Sequence, residues 1–344
     1  MKAMVLRGAG EVTDDSPLVA SEIDEPACGD DDVVIRTRVC GVCRTDLDLA
    51  QGRLVPPAYP VVPGHQVVGI IERVGAHVRD RRVGQRAGVA WIRWACGECR
   101  WCLAGTENLC PHFQANGCDA NGGYAEFVAV PAAFTYLLPD GLDDAHVAPL
   151  LCAGAIGWRS LRLAELADGD PLGLTGFGAS AHLVLQTARR RYPRSPIYVF
   201  ARNADERAFA TELGASWTGD TRDEPPGDLA AIIDTTPVWT PVVSALRRLM
   251  PGGRLVINAI RKSNADRDVL ASIRYETDLW MERDLRSVAN VTRADVREML
   301  AFAADAGLEP TVEVLPLDDA NRALAALARG GGLRGATALR VAAS

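Results

Sequence analysis

The sequence predicts an α/β protein: a β-rich, barrel-like portion interrupted by a doubly wound, parallel-sheet portion. Three observations carry this prediction. Up to about residue 150 the chain reads as short strands separated by Gly, Pro and Asp clusters. From about residue 153 it changes to strands alternating with helices, the pattern of a parallel sheet. At residues 172–181 a strand runs into a glycine-rich turn that opens a helix.

Taken in order, residues 33–39 nearly alternate apolar and polar, 67–74 form a β-rich run, and 124–130 alternate again. Residues 172–175 read as a strand and 179–190 as an Ala- and Leu-rich helix. A strand at 197–200 follows, then a helix at 204–213 ended by Gly214, then strands at 231–234 and 254–257. Beyond about residue 290 a helix over 293–304 leads to a strand-like segment at 311–315 and a final apolar stretch. A chain of 344 residues is long for one core. Residues 1–152 and 288–344 are therefore expected to form one discontinuous domain around an inserted dinucleotide-binding domain, 153–287.

Composition narrows the function. Hydrophobic content of 48% and charged content of 24% are those of an ordinary soluble globular protein. No apolar run approaches the roughly 20 residues that cross a bilayer, so no membrane partner is expected. Net charge is −7, from 37 basic and 44 acidic residues, which argues against a nucleic-acid surface. The run Arg189-Arg190-Arg191 closes a predicted helix and reads as a solvated cap. Nine cysteines, with no signal-peptide pattern after Met1, point to a reducing cytoplasm and to metal ligation.

The most specific pattern is Cys96, Cys99, Cys102 and Cys110, a C-x2-C-x2-C-x7-C run. Four thiols at such gaps can converge on one tetrahedral centre, and zinc is the metal most often closed off by four thiolates. Two disulfides, four incidental buried cysteines and an Fe–S cluster are the competing readings. A closed site of this kind staples a loop and performs no chemistry itself.

The turn Gly176-Phe177-Gly178-Ala179-Ser180-Ala181 is G-x-G-x-x-A between strand and helix, the setting of the dinucleotide fingerprint. Gly176 permits the tight turn and Gly178 lets a pyrophosphate approach the backbone. Ala179 opens the helix whose N-terminus faces the phosphates, and Ala181 packs helix on strand. NAD-binding folds usually carry an acid about 20 residues on, for the ribose diol. Here Ala201-Arg202-Asn203 ends the second strand. A guanidinium in place of a carboxylate favours the 2′-phosphate of NADP over NAD, unless Arg202 only stacks on adenine.

Cys43, His65 and Cys152 are three further candidate ligands, and a Cys2His set leaves the open position that a catalytic zinc needs. Spacing alone does not bring them together. The ordered segments G-V-C-R-T-D (41–46), V-P-G-H (62–65), the four-cysteine run with E-N-L-C-P (107–111), G-G-Y-A-E-F (122–127) and L-L-C-A-G (150–154) resemble the zinc-dependent alcohol dehydrogenases of the medium-chain dehydrogenase/reductase superfamily. That resemblance spans essentially the whole chain. It implies a GroES-like catalytic domain, a Rossmann domain and an active site in the cleft between them. It further implies that Cys43, His65 and Cys152 hold a catalytic zinc, and that Cys96, Cys99, Cys102 and Cys110 hold a structural one. Thr45 is then the hydroxyl that carries the substrate proton away, Asp46 the carboxylate that orients His65, and Arg44 the cation reaching the coenzyme pyrophosphate.

The implied reaction is hydride transfer between an alcohol and NAD(P), through an alkoxide on zinc, giving an aldehyde or ketone. The implied partners are a small alcohol, aldehyde or ketone, and a second copy or more of the chain, as homodimer or homotetramer. Two departures from the family pattern stand out. Gln66 replaces the Glu that commonly follows the ligating His, and Asp48 occupies the place of a relay His; its plain reading is a solvated first-turn acid. Trp91 sits where relatives place a pocket aromatic, although Trp91 and Trp94 could equally pack the core. Cys28, Cys40 and Cys118 have no assigned role. The rival readings are a zinc-free quinone reductase of the same superfamily and a non-catalytic zinc-binding module.

Overall fold

The computed structural model describes residues 1–330 and 334–342. The chain separates into one unit of Met1–Ala155 with Asn290–Ser344 and a second of Ile156–Ala289.

In the first unit the β-branched strand Asp32–Val42 is the organising element. It pairs antiparallel with Gln66–Val74, Phe127–Pro131 and Ala336–Arg340. Val33, Val34, Ile35, Val67, Val68 and Ile71 are fully buried along this pairing, so it forms the core as well as the ladder. Among the described residues the sheet runs in the order Val312–Pro316, Ala336–Arg340, Asp32–Val42, Gln66–Val74, Arg86–Val89, Thr135–Leu137.

The strand expected from residue 124 begins at Phe127 instead. Residues before it are drawn elsewhere: Gly123 and Tyr124 donate backbone hydrogen bonds to Gly64 and Pro63, and Met4 donates to Tyr124. That segment therefore braces the turn just ahead of His65. The helix read at 293–304 extends over Arg293–Ala306, started by a reciprocal Thr292–Asp295 capping box and stopped at left-handed Gly307. The final apolar stretch resolves into a helix, Ala320–Arg329, and a strand, Ala336–Arg340.

The second unit is a parallel six-stranded sheet ordered Trp217–Gly219, Ile197–Phe200, Leu172–Thr175, Leu229–Asp234, Leu249–Ile257, Asp284–Ser287. In chain order this is 3-2-1-4-5-6, the doubly wound Rossmann arrangement. Successive residues face opposite layers. Ala231 and Ile233 join the core under the helix Ala179–Arg191, while Ile232 joins the one under the helix Thr240–Leu246. The basic run is not simply solvated: Arg189 donates to the Leu213 carbonyl at 2.9 Å, and Arg191 lies 4.4 Å over the Trp158 ring. No helix among the described residues is long and apolar enough to cross a membrane.

Candidate active site and coenzyme loop

Local helix physics positions the first ligand. Cys43 is the N-cap of the helix Arg44–Ala50, its sulfur accepting from the Thr45 N–H at 3.3 Å, and Asp46 returns the bond by accepting from the Cys43 N–H at 2.9 Å. The cap is thus Cys43, not Thr45, and Asp46 is held by the same box. The other Asp46 oxygen accepts from the Gly64 N–H at 3.2 Å and stands 3.2 Å from His65 Nδ1, off the line of a straight hydrogen bond. Gly64 has φ +97°, and a Cβ there would lie 2.5 Å from the Tyr124 ring, so only glycine brings the chain this close ahead of His65.

The fold brings together what spacing could not. Cys43, His65 and Cys152 place their ligand atoms within 4.8 Å of one another, with His65 Nε2 3.3 Å from the Cys152 sulfur and the two sulfurs 4.0 Å apart. A hydrogen bond from Cys152 lowers the Cys43 thiol against its burial, with His65 assisting, and Cys152 is raised in turn by that bond and by burial. For His65, burial opposes the charged form, but Asp46 and Cys43 outweigh it and raise the imidazole to about 10. A cation enclosed by these three ligands would take the place of that proton in balancing Asp46. The donor set, with Nε2 facing the sulfurs and Nδ1 toward a carboxylate, fits a zinc ion.

The second cluster is local. Cys96, Cys99, Cys102 and Cys110 also lie within 4.8 Å of one another. Their closest sulfur separations are 3.6 Å for Cys99–Cys102, 3.6 Å for Cys96–Cys110 and 3.9 Å for Cys96–Cys102. A tetrahedron with Zn–S bonds of about 2.3 Å has edges of roughly 3.8 Å, so these sulfurs are spaced for zinc. Backbone N–H groups of Glu98 and Cys99 lower Cys96 to about 6, favouring the thiolate.

In the second unit, Gly176 has φ +76°, and a Cβ there would meet Thr235 and Thr236 at 3.0 Å. Gly178, the N-cap, has nothing within 4 Å of where a Cβ would stand, which leaves room for a phosphate against the backbone. Ala179 opens the helix and Ala181 is fully buried against the sheet. A polar network with no sequence signature lies under the turn. Buried Asp234 accepts from Thr175 at 2.6 Å and Thr236 at 2.7 Å and pairs with Lys262, whose ammonium also bonds the Thr236 carbonyl. Arg202 is exposed, and Arg207 donates to the Ala201 and Arg202 carbonyls at 2.6 and 2.9 Å, fixing the loop that carries it.

Two expectations change, for Asp48 and for the tryptophans. Asp48 is not a solvated acid: it is 3% exposed and accepts from Arg53 Nε at 2.7 Å. Gln66 is buried with its amide nitrogen unpartnered. Neither tryptophan is a core residue. Trp94 is exposed, while Trp91 is half-buried with its ring edge-on to His65. Arg44 is exposed, its guanidinium 3.5 Å from the Leu327 carbonyl.

Residues 29–140 match the family described as the alcohol dehydrogenase GroES-like domain. The chain is 42% identical over 339 residues to the probable alcohol dehydrogenase AdhA of Mycobacterium tuberculosis, covering 96% of this chain and 94% of that protein. Its fold is similar to the cinnamyl alcohol dehydrogenase SbCAD4 of Sorghum bicolor (TM-score 0.83, 25% identity, 98% of this chain and 97% of that one). It is also similar to the NADP-bound structure of a dehydrogenase from Sinorhizobium meliloti 1021 (TM-score 0.87, 25% identity, 99% of each chain).

Proposed function

The chain belongs to the zinc-dependent alcohol dehydrogenases of the medium-chain dehydrogenase/reductase superfamily, and on that premise we propose that it interconverts short or flat alcohols with their aldehydes or ketones, using NADP(H) in preference to NAD(H). The observation that carries this reading is the preassembled Cys43–His65–Cys152 set backed by Asp46. These three residues would hold one zinc, and Cys96, Cys99, Cys102 and Cys110 a second. Zinc at the first set would supply Lewis acidity toward an alcohol or carbonyl oxygen, and the nicotinamide would accept or donate the hydride.

The chain's own groups do the rest. Asp46, 3.2 Å from Nδ1, would favour a proton on that nitrogen by its charge and leave Nε2 as the lone-pair donor. The Thr45 hydroxyl takes the substrate proton and passes it outward; Asp48, engaged by Arg53, is left out of that route. Arg44 offers an exposed guanidinium to the pyrophosphate. Gly176, Gly178, Ala179 and Ala181 shape the phosphate cradle, and Arg202 offers two donors to a 2′-phosphate. The Trp91 indole walls the substrate side of His65, which favours short or flat substrates.

The thiolate ligand sets need reduced cysteines, so we place the protein in the cytoplasm. We further propose a homo-oligomer, dimer or tetramer, because Leu285 of the edge strand Asp284–Ser287 and the preceding Tyr275, Trp280 and Met281 leave apolar surface exposed. The test of function is oxidation of ethanol, benzyl alcohol and cinnamyl alcohol by the zinc-loaded protein with each coenzyme. NADP+-dependent turnover of at least one is expected. No turnover with either coenzyme, at full zinc loading, contradicts the reading.

A further inference from the structure

We propose that Asn290 is a positioning residue for the reaction: it holds the Trp91 indole as a fixed wall beside His65 and ties that wall to the four-cysteine lobe. The inference rests on reading Cys43, His65 and Cys152 as the reacting site.

The main chain of Trp91 is already secured without Asn290. The Asn116 N–H donates to the Trp91 carbonyl at 2.9 Å, and the Asn116 side chain donates to Ala90 at 2.8 Å. What remains free is the side chain, and a half-buried indole has two rotatable bonds by which to swing. One contact removes that freedom: Trp91 Nε1–H donates to Asn290 Oδ1 at 2.9 Å. With the indole so held, its ring centre lies 4.9 Å from the His65 imidazole at 77°, an edge-to-face contact. His65 is therefore braced on two sides, by Asp46 at Nδ1 and by Trp91 against the ring.

Asn290 is itself specified. Its φ of +51° is left-handed, a conformation that asparagine tolerates better than other residues with a Cβ. Its Nδ2 donates to the Asn108 carbonyl at 3.3 Å, in the turn Glu107–Leu109 that immediately precedes Cys110. Three residues on, Arg293 donates from both its backbone N–H and its Nε to buried Glu107 at 3.0 and 3.2 Å. One short segment thus grips the lobe with three hydrogen bonds and the indole with one. The oxygen and the nitrogen of the Asn290 side-chain amide join the aromatic wall of one cluster to the structural cluster, across 199 and 182 residues of sequence.

The variant that isolates the side chain is Asn290→Gly, because glycine accepts the positive φ and loses only the amide. Zinc per chain, kcat and KM for an alcohol series, and the visible spectrum of the Co2+-substituted holoenzyme would be measured. We expect two metals per chain, a KM for benzyl alcohol raised roughly five- to tenfold, as for a lost hydrogen bond, and kcat within about twofold. The Co2+ bands should shift, because the His65 ring has lost the Trp91 side of its support. Trp91→Phe should reproduce the KM change, and the double variant should be no worse than Trp91→Phe alone. An unchanged KM and Co2+ spectrum in Asn290→Gly, or additive effects in the double variant, overturn the proposal. The spectrum reports on His65 even without turnover. An inactive wild-type protein would therefore contradict the proposed function, while a shift of the Co2+ bands in Asn290→Gly would still support this inference and fixed bands would overturn it.

Discussion

His182 should make this protein acid-sensitive in a way that one substitution removes. It lies on the helix that begins at the glycine-rich turn, is fully buried, stacks 6.1 Å from Phe209, and has no hydrogen-bond partner at either ring nitrogen. Burial lowers its pKa from 6.5 to about 4; the Ala179 and Gly178 backbone, near the ring but outside hydrogen-bond geometry, opposes this only in part. The folded pKa is the depressed one, so above pH 6.5 the group has no effect on stability. As pH falls from 6.5 toward 4, the unfolded chain takes a proton that the folded chain refuses, and stability falls. Linkage at 1.36 kcal/mol per pKa unit gives a ceiling of about 3 kcal/mol, of which about 2 kcal/mol is lost at pH 5. His182→Leu, similar in volume and without the orphaned nitrogens, should remove this loss. The assay is thermal unfolding of both proteins at pH 7.5 and 5.0. The wild type should lose roughly 4–8 °C more than the variant between these pH values, and the metal sites, common to both, cancel in the difference. Equal losses in the two proteins would show that His182 is protonated in the fold or solvated, and would refute the reasoning.

Two other perturbations address the metal lobe and the coenzyme. Cys99→Ser should release one zinc per chain and lower the melting temperature, because the closed site binds metal only when folded; unchanged zinc content would sink the assignment of that run. Ala201→Asp combined with Arg202→Ala should move preference toward NAD(H) by roughly ten- to a hundredfold in the kcat/KM ratio, the worth of one charge-assisted contact. A wild-type protein already preferring NAD(H) would show that Arg202 does not read the phosphate.

Legibility in the sequence follows distance along the chain. The four cysteines lie within fifteen positions, so spacing alone proposes their cluster, and their sulfurs do converge. The turn at Gly176 is equally local, since strand, glycines and helix are contiguous. Cys43, His65 and Cys152 span 109 residues, and no local pattern joins them; a family resemblance groups them, the Gly41–Gln66 strand pairing brings Cys43 near His65, and Cys152 arrives from the end of the short helix Ala148–Leu151. Asp48 reads as solvated because it is an acid in a short helix, whereas Arg53 just beyond the helix folds back onto it. Long-range polar pairs leave no trace: Trp91 with Asn290, and Asp234 with Lys262, join residues whose types are ordinary on their own. His182 is hidden for the same reason, inside a helix that reads only as Ala- and Leu-rich.

The most direct test of the central claim pairs metal counting with turnover in one variant of the first cluster. Cys152→Ala should fall from two zincs per chain to one, keep its affinity for NADP(H), and lose alcohol oxidation to background, since the Gly176–Ala181 turn proposed to hold the coenzyme's phosphates belongs to the other unit. A Cys152→Ala protein that has lost that zinc and still oxidises alcohol at near wild-type rate would contradict the account.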